Sequence, residues 1–221
     1  MKTISVHISL TNLDFETRLF KQANSISEIN KIDLVFLFGV YLNNHKPKYN
    51  FDKKISIYKF KKLSVPKFIN YIYYLIFIIK RIDKKSRTII HIHSVKTLPY
   101  IIFFKLFYRN SKIVYDTHEL ETETMGLKSF RKKLWKAIEK TLISFVDLAV
   151  FVNQKIESWY IKNYMPKFLT TVVYNSPEEI KIKKNVDIFR HLNFVRNNKP
   201  IILYQGFLSL GRGIENLIDN I

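Results

Sequence analysis

Residues 87–93 read Arg-Thr-Ile-Ile-His-Ile-His, an apolar run that ends on two histidines alternating with isoleucine. Three other runs are as continuously apolar: DLVFLFGV at 33–40, DLAVFV at 147–152 and PIILYQG at 200–206. Short runs rich in β-branched and aromatic residues are what strands covered on both faces look like. Further strand-like runs lie at Thr3–Leu10, Ile55–Phe60, Lys112–Asp116 and Thr171–Tyr174. Helical stretches near Phe15–Asn30, Pro66–Asp83, Lys96–Tyr108, Lys128–Phe145, Gln154–Tyr164 and from Ile214 onward separate them. This alternation predicts right-handed βαβ units, and so an α/β fold: a Rossmann-like, mostly parallel sheet with helices on both faces. In such sheets the working residues sit on loops that leave the carboxyl ends of the strands.

Composition narrows the function classes. The chain has 221 residues, 47% of them hydrophobic, which excludes a disordered chain too polar to form a core. It has no cysteine, which excludes a disulfide scaffold, a cysteine nucleophile and thiolate metal sites. The N-terminus alternates polar and apolar residues instead of carrying an uninterrupted signal-peptide core, so a cytoplasmic protein is expected. The longest apolar run, FINYIYYLIFII at 68–79, is too short to cross a bilayer, which takes about 20 residues.

Charge adds a second theme. With 37 basic against 18 acidic side chains the net charge is +19, attracting anionic membranes and polyphosphates. Lysines from Lys46 to Lys67 precede the 68–79 run, and Lys80, Arg81, Lys84, Lys85 and Arg87 follow it. A basic collar around an apolar helix suits an element lying in the plane of an anionic membrane surface, such as the inner face of a cell membrane. The competing reading is a core helix with solvated lysine ends. Nucleic acid is not expected as a partner, because no helix-turn-helix, zinc-finger or RNP-type pattern is present.

The loops at the strand exits carry the candidate chemistry. The first, Thr11-Asn-Leu-Asp-Phe-Glu-Thr-Arg18, lacks the glycines of a dinucleotide fingerprint. After the fourth strand, alternation puts His91 and His93 on one face, with His93 at the exit. After the fifth comes YDTHELETETMG at 115–126, acidic and polar in an otherwise basic chain. There Asp116 and Glu119 can orient His118 or bind hydroxyls, while Asp116 can equally cap the segment after the strand. His91, His93, Asp116 and His118 include zinc-compatible donors, but nothing fixes a third and fourth ligand, and no metal is expected. Trp135 and Glu139, four apart on a helix, are expected to be packing and a surface charge. Residues 176–199 form a polar, lysine-bearing connector, after which an apolar strand leads into Gly206, Gly211, Arg212 and Gly213. Strand, glycine turn and helix start make a candidate anion site.

In order along the chain, HIHSVKTLP, KIVYDTHELETE, RKKLWKAIEK, FVDLAVFVNQKI, VVYNSPEE and ILYQGFLSLGRGIENLI resemble successive blocks of a GT-B glycosyltransferase of the family 4 type. The resemblance implies two Rossmann-like domains, the first holding a glycan or lipid-linked acceptor and the second most of a nucleotide-sugar, with the sugar transferred with retention. It gives residues 1–175 as the N-terminal domain, 176–199 as the linker and 200–221 as the first strand and helix of the C-terminal domain. It implies catalytic roles for His93 and His118, acceptor contacts for Asp116 and Glu119, and donor diphosphate contacts for Gly206, Arg212 and Gly213. The nucleotide-sugar is a substrate, and no cofactor is implied. Two departures stand out: Phe207 replaces a basic residue that many relatives carry after that glycine, and the first loop lacks glycine.

At 221 residues the chain is about the front half of such an enzyme, so it is expected to be truncated and to turn over little alone, in a pathway building a cell-surface polysaccharide. The alternative is a non-catalytic module that binds the acceptor or a membrane and needs a partner chain supplying the C-terminal domain.

Overall fold

A computed structural model describes residues 1–41, 52–123, 129–165, 167–176, 202–206, 208 and 213–220. The chain divides into two compact units, Met1–Ser176 and Pro177–Ile221. In the first unit the elements run β1 (Thr3–Asn12), α1 (Thr17–Ser27), β2 (Leu34–Tyr41), β3 (Ile55–Lys61), α2 (Lys67–Ile79) and β4 (Arg87–Ile92). Then come α3 (Tyr100–Phe107), β5 (Ser111–Thr117), α4 (Ser129–Leu142), β6 (Leu148–Phe151), α5 (Gln154–Tyr164) and β7 (Leu169–Val172). All seven strands are parallel, in the order β3-β2-β1-β4-β5-β6-β7. The order reverses between β1 and β4, and ligands of open α/β sheets bind at such a switch point, beyond the carboxyl ends of the strands.

Alternation along each strand splits the core into two layers. Ile4, Val6 and Ile8 of β1, Ile90 and Ile92 of β4, and Ile113 and Tyr115 of β5 meet α2, α3, α4 and α5 on one face. Val35 and Leu37 of β2 meet Leu19, Phe20 and Ala23 of α1 on the other. On that second face β1 presents Ser5, His7 and Ser9, all buried and all polar. A short 3-10 turn, Leu13–Phe15, links β1 to α1 and drops Leu13 onto Gly39 of β2, where a Cβ would collide with the leucine side chain.

The apolar run at 68–79 is half inside. Tyr74 and Ile78 are buried, whereas Phe68, Ile72, Tyr73 and Ile76 are exposed, so α2 is neither a wholly buried helix nor a free one. Among the described helices, none is long and apolar enough to cross a membrane.

Glu139 corrects a sequence expectation. Its side chain on α4 is fully buried, and its carboxylate accepts hydrogen bonds from Tyr115 (2.8 Å), Tyr160 (2.5 Å), Tyr164 (2.8 Å) and Thr122 (3.4 Å). It is a polar hub joining α4, α5, β5 and the loop after β5. A carboxylate can be buried here because four hydroxyls replace its water.

In the second unit, residues 202–205 have no regular structure where a strand over Ile201–Gln205 is expected. A strand needs a neighbour to take its backbone groups, and the described residues of this unit include none. Its helix α6 (Ile214–Asp219) starts at Gly213, which has a left-handed φ of 74°. Arg212 lies outside the described residues.

Candidate active site at the strand exits

The polar residues of the first unit converge on the carboxyl ends of β1, β4 and β5, on the face covered by α1. Side chains cap two of these exits: Asn12 Oδ1 accepts from the Asp14 N–H, and Ser94 Oγ accepts from the Lys96 N–H. The caps release the chain into short 3-10 turns at the carboxyl edge of the sheet.

Asp116 is the centre. It is 1% exposed, at the exit of β5. Arg18 Nη2 donates to its Oδ1 at 2.7 Å, and Gln22 Nε2 to its Oδ2 at 2.5 Å. Both donors come from α1, four residues apart and so on one helix face. His93 Nδ1 stands 3.4 Å and His118 Nε2 3.9 Å from Oδ2, charge-pair distances without hydrogen-bond alignment. Burial alone would push the Asp116 carboxyl up; His93, Arg18 and Gln22 outweigh it and hold the group below the usual carboxylate range. His118 is also lowered from its ordinary value: burial lowers it, helped by His93 and Arg18 and opposed by Asp116.

Behind this group runs a file of histidines. In the β1–β4 register His7 lies opposite His91, and their rings stack at 4.1 Å. His7 Nδ1 is hydrogen-bonded to His93 Nε2 at 3.0 Å, and Ser5 Oγ to His7 Nε2 at 3.3 Å. Burial holds His7 well below its ordinary pKa and takes His91 down to about 3, so these two rings are neutral at physiological pH. Neutral rings can hand one hydrogen bond along the file in a single direction. A consistent polarity is Ser5 to His7 to His93, whose Nδ1 stands on the Asp116 side.

The structure brings together His93, Asp116 and His118 and separates Glu119 from them. Glu119 is exposed, and its carboxylate makes no hydrogen bond or ion pair among the described residues. His93 is 5% exposed and turns both ring nitrogens toward protein groups, whereas His118 is partly open to solvent. Gly206 and Gly213 belong to the second unit. Arg18, Gln22 and His7 were not among the sequence candidates. Their signals were present, in the four-residue step from Arg18 to Gln22 and in the polar alternation Ser5-His7-Ser9 within a central strand. Glu121 was also missed: its carboxylate accepts from Ser94 Oγ–H (2.8 Å) and the Val95 N–H (3.1 Å), tying the β5 loop to the β4 loop.

His93, Asp116 and His118 each offer one ligand atom within 4.8 Å of the others, a set that could hold a cation. Arg18 on the same carboxylate sets a fixed positive charge against that use. Arg18 Nη1 and His118 Nε2 are buried and find no hydrogen-bond partner among the described residues. Of the two side chains His118 is the more open to solvent, so it is the one an incoming phosphate or hydroxyl would meet first.

No protein-family model matches the chain, and no curated protein matches it significantly. Solved structures do. Sucrose-phosphate synthase from Thermosynechococcus elongatus superposes with a TM-score of 0.73 at 14% identity, over 99% of this chain and 59% of that one. The chain shares the fold of this sucrose-phosphate synthase. A second structure of sucrose-phosphate synthase from the same organism gives a TM-score of 0.53 at 13% identity, over 80% of this chain and 91% of that one. The chain therefore spans about 59% of the length of the first of these structures, and at such identities the likeness is one of fold.

Proposed function

We propose that this chain belongs to a retaining glycosyltransferase that moves a sugar from a nucleotide-sugar to a glycan or lipid-linked acceptor, in the assembly of a cell-surface polysaccharide. The observation that carries the reading is Asp116: a buried carboxylate at the exit of β5, next to the strands where the sheet order reverses, paired with Arg18, His93 and His118. In the transfer, the bond from the sugar's anomeric carbon to the diphosphate breaks, and a bond to an acceptor oxygen forms. The proton of that oxygen leaves, and negative charge collects on the departing nucleotide diphosphate. Preorganised N–H donors and cations that meet this charge lower the barrier without reorganising. Arg18 supplies such donors from a fixed position, because Asp116 anchors one side of its guanidinium. His118 stands beside it to hydrogen-bond a phosphate or hydroxyl. His93 is a positioning residue, held between His7 and Asp116. Gly206, Arg212 and Gly213 are assigned to the donor diphosphate; the left-handed φ of Gly213 supports a glycine there.

The test is release of nucleotide diphosphate from a panel of nucleotide-sugars, by this polypeptide and by a version lengthened at its C-terminus. The longer chain should be much the faster, and Asp116→Asn or Arg18→Gln in it should lower release about 100-fold or more. Equal rates for the two lengths would show that the shorter chain is not half of the machinery. A longer chain that binds no nucleotide-sugar, or an Asp116→Asn variant at full rate, would overturn the function.

A further inference from the structure

At the opposite rim of the sheet, where β4 and β5 begin, lies a cavity of about 540 Å³ lined by Arg87, Lys105, Arg109, Asn110, Ser111 and Lys112. Four cations converge there. The carboxylate reaching them, Asp147, is already engaged by Lys105 (2.7 Å) and Lys112 (2.9 Å) and by the Ile113 N–H (2.9 Å). That leaves the guanidinium groups of Arg87 and Arg109 as the ones a bound anion would use, with planar multi-donor geometry suited to phosphate oxygens.

The surface beside this cavity is apolar. On α3, Ile102 and Leu106 are 49% and 65% exposed, and Phe107 is 54% exposed. Steps of three and four residues put Ile102, Lys105 and Leu106 on one side of the helix, and Lys105 also lines the cavity, so the cavity and the greasy face adjoin. Next to it runs α2, held to α3 by the Tyr71–Tyr100 ring contact at 4.3 Å and by hydrogen bonds from Tyr100 Oη to Tyr71 O and from Tyr108 Oη to Ile79 O. The outward stripe of α2, Phe68, Ile72 and Ile76, repeats every four residues and ends on exposed Lys80.

We infer that the α2–α3 face and its adjoining cavity dock onto an anionic phospholipid bilayer, the cavity taking a lipid headgroup phosphate and the helices lying in the interface. The charge decides the occupant. A second copy of a +19 chain would bring four like charges to this cavity, and a nucleic acid would leave the isoleucine, leucine and phenylalanine side chains wet. A bilayer surface offers both phosphates and a place to bury apolar side chains, and stable surface binding calls for two such signals. The inference is independent of the sugar-transfer reading, whose residues lie at the other ends of the strands.

The experiment is sedimentation of the full chain with phosphatidylcholine vesicles that contain or lack phosphatidylglycerol, at low and high salt. Binding is expected only with the anionic lipid and should weaken with salt. Removing two charges with Arg87→Gln and Arg109→Gln should lower the partition about 25-fold, at about fivefold per charge. Ile102→Ser with Leu106→Ser, at exposed positions that the fold tolerates, should lower it at least tenfold. The same charge change on α5, Lys155→Gln with Lys162→Gln, should cost less than fivefold. An equal loss from the α5 pair would mean diffuse attraction and overturn the site. So would inorganic phosphate binding without vesicle binding, or self-association abolished by the serine pair in a chain that ignores vesicles.

Discussion

Replacing Glu139 by alanine should destabilise the first unit by about 3 kcal/mol. The side chain is fully buried, and three phenols and a threonine hydroxyl point at it. Tyr164 is half-buried and can turn to water; Tyr115 and Tyr160 are completely buried and cannot. Each buried donor left without an acceptor costs about 1–3 kcal/mol, giving roughly 2–6 for the pair. A lost carboxylate also removes its own desolvation cost, which trims the total toward the lower half of that range. Glu139→Gln keeps the shape and one carbonyl acceptor and gives up only the charge-assisted strength of the bonds, so about 1–2 kcal/mol is expected. Urea unfolding followed by tryptophan fluorescence reads this unit directly, since both tryptophans, Trp135 and Trp159, lie on the helices that meet at the hub. Tyr160→Phe combined with Glu139→Ala should cost less than the sum of the two single changes, because the phenol is then no longer orphaned. An alanine variant within 0.5 kcal/mol of the parent, or strict additivity in the double variant, would refute the hub as an energetic unit.

Stability should also fall in mild acid. His7 is fully buried with its pKa depressed, so the unfolded chain takes up that proton near pH 6.5 while the folded chain does not; stability is full above that value and declines below it, by up to ~1.4 kcal/mol per pH unit. His91, held at about 3, adds a slope of the same sign between about pH 6.5 and 3, and Asp116 extends the loss as pH drops below about 4. Urea midpoints at pH 7 and pH 5 should differ clearly and should differ less in His7→Asn; identical midpoints in the parent would count against a neutral histidine file. Gly39→Ala should cost about 1–3 kcal/mol, since the new methyl meets Leu13, and Leu13→Ala in the same chain should cost less than it does alone. A Gly39→Ala variant as stable as the parent would show that Leu13 moves aside freely.

The sheet was legible because its strands are short and apolar, with helices of clear period between them; each of the seven strands lies within two residues of its expected start. The misses have local causes. Pro99 and the Ser94 cap divert the chain into a 3-10 turn, so α3 begins at Tyr100 instead of Lys96. The turn that seats Leu13 on Gly39 delays α1 to Thr17. At the site, His93, Asp116 and His118 could be read because each lies at or just past the carboxyl end of a strand. Arg18, Gln22 and His7 left only weak local signals, because their importance rests on pairings across 98, 94 and 86 residues that only strand order and register create. Glu139 was misjudged because its partners, Tyr115, Tyr160 and Tyr164, all read as ordinary core aromatics.

Two neighbouring residues of β5 meet opposite fates. Tyr115 points down into the hub on α4, and Asp116 points up into the grip of α1. The strand is thus bolted from both sides at the spot where it reaches the crevice, and its amides should be among the slowest in the molecule to exchange with deuterium. Any adaptation to an arriving molecule must then come from the loops on either side, with this pair of residues acting as the anvil they close against.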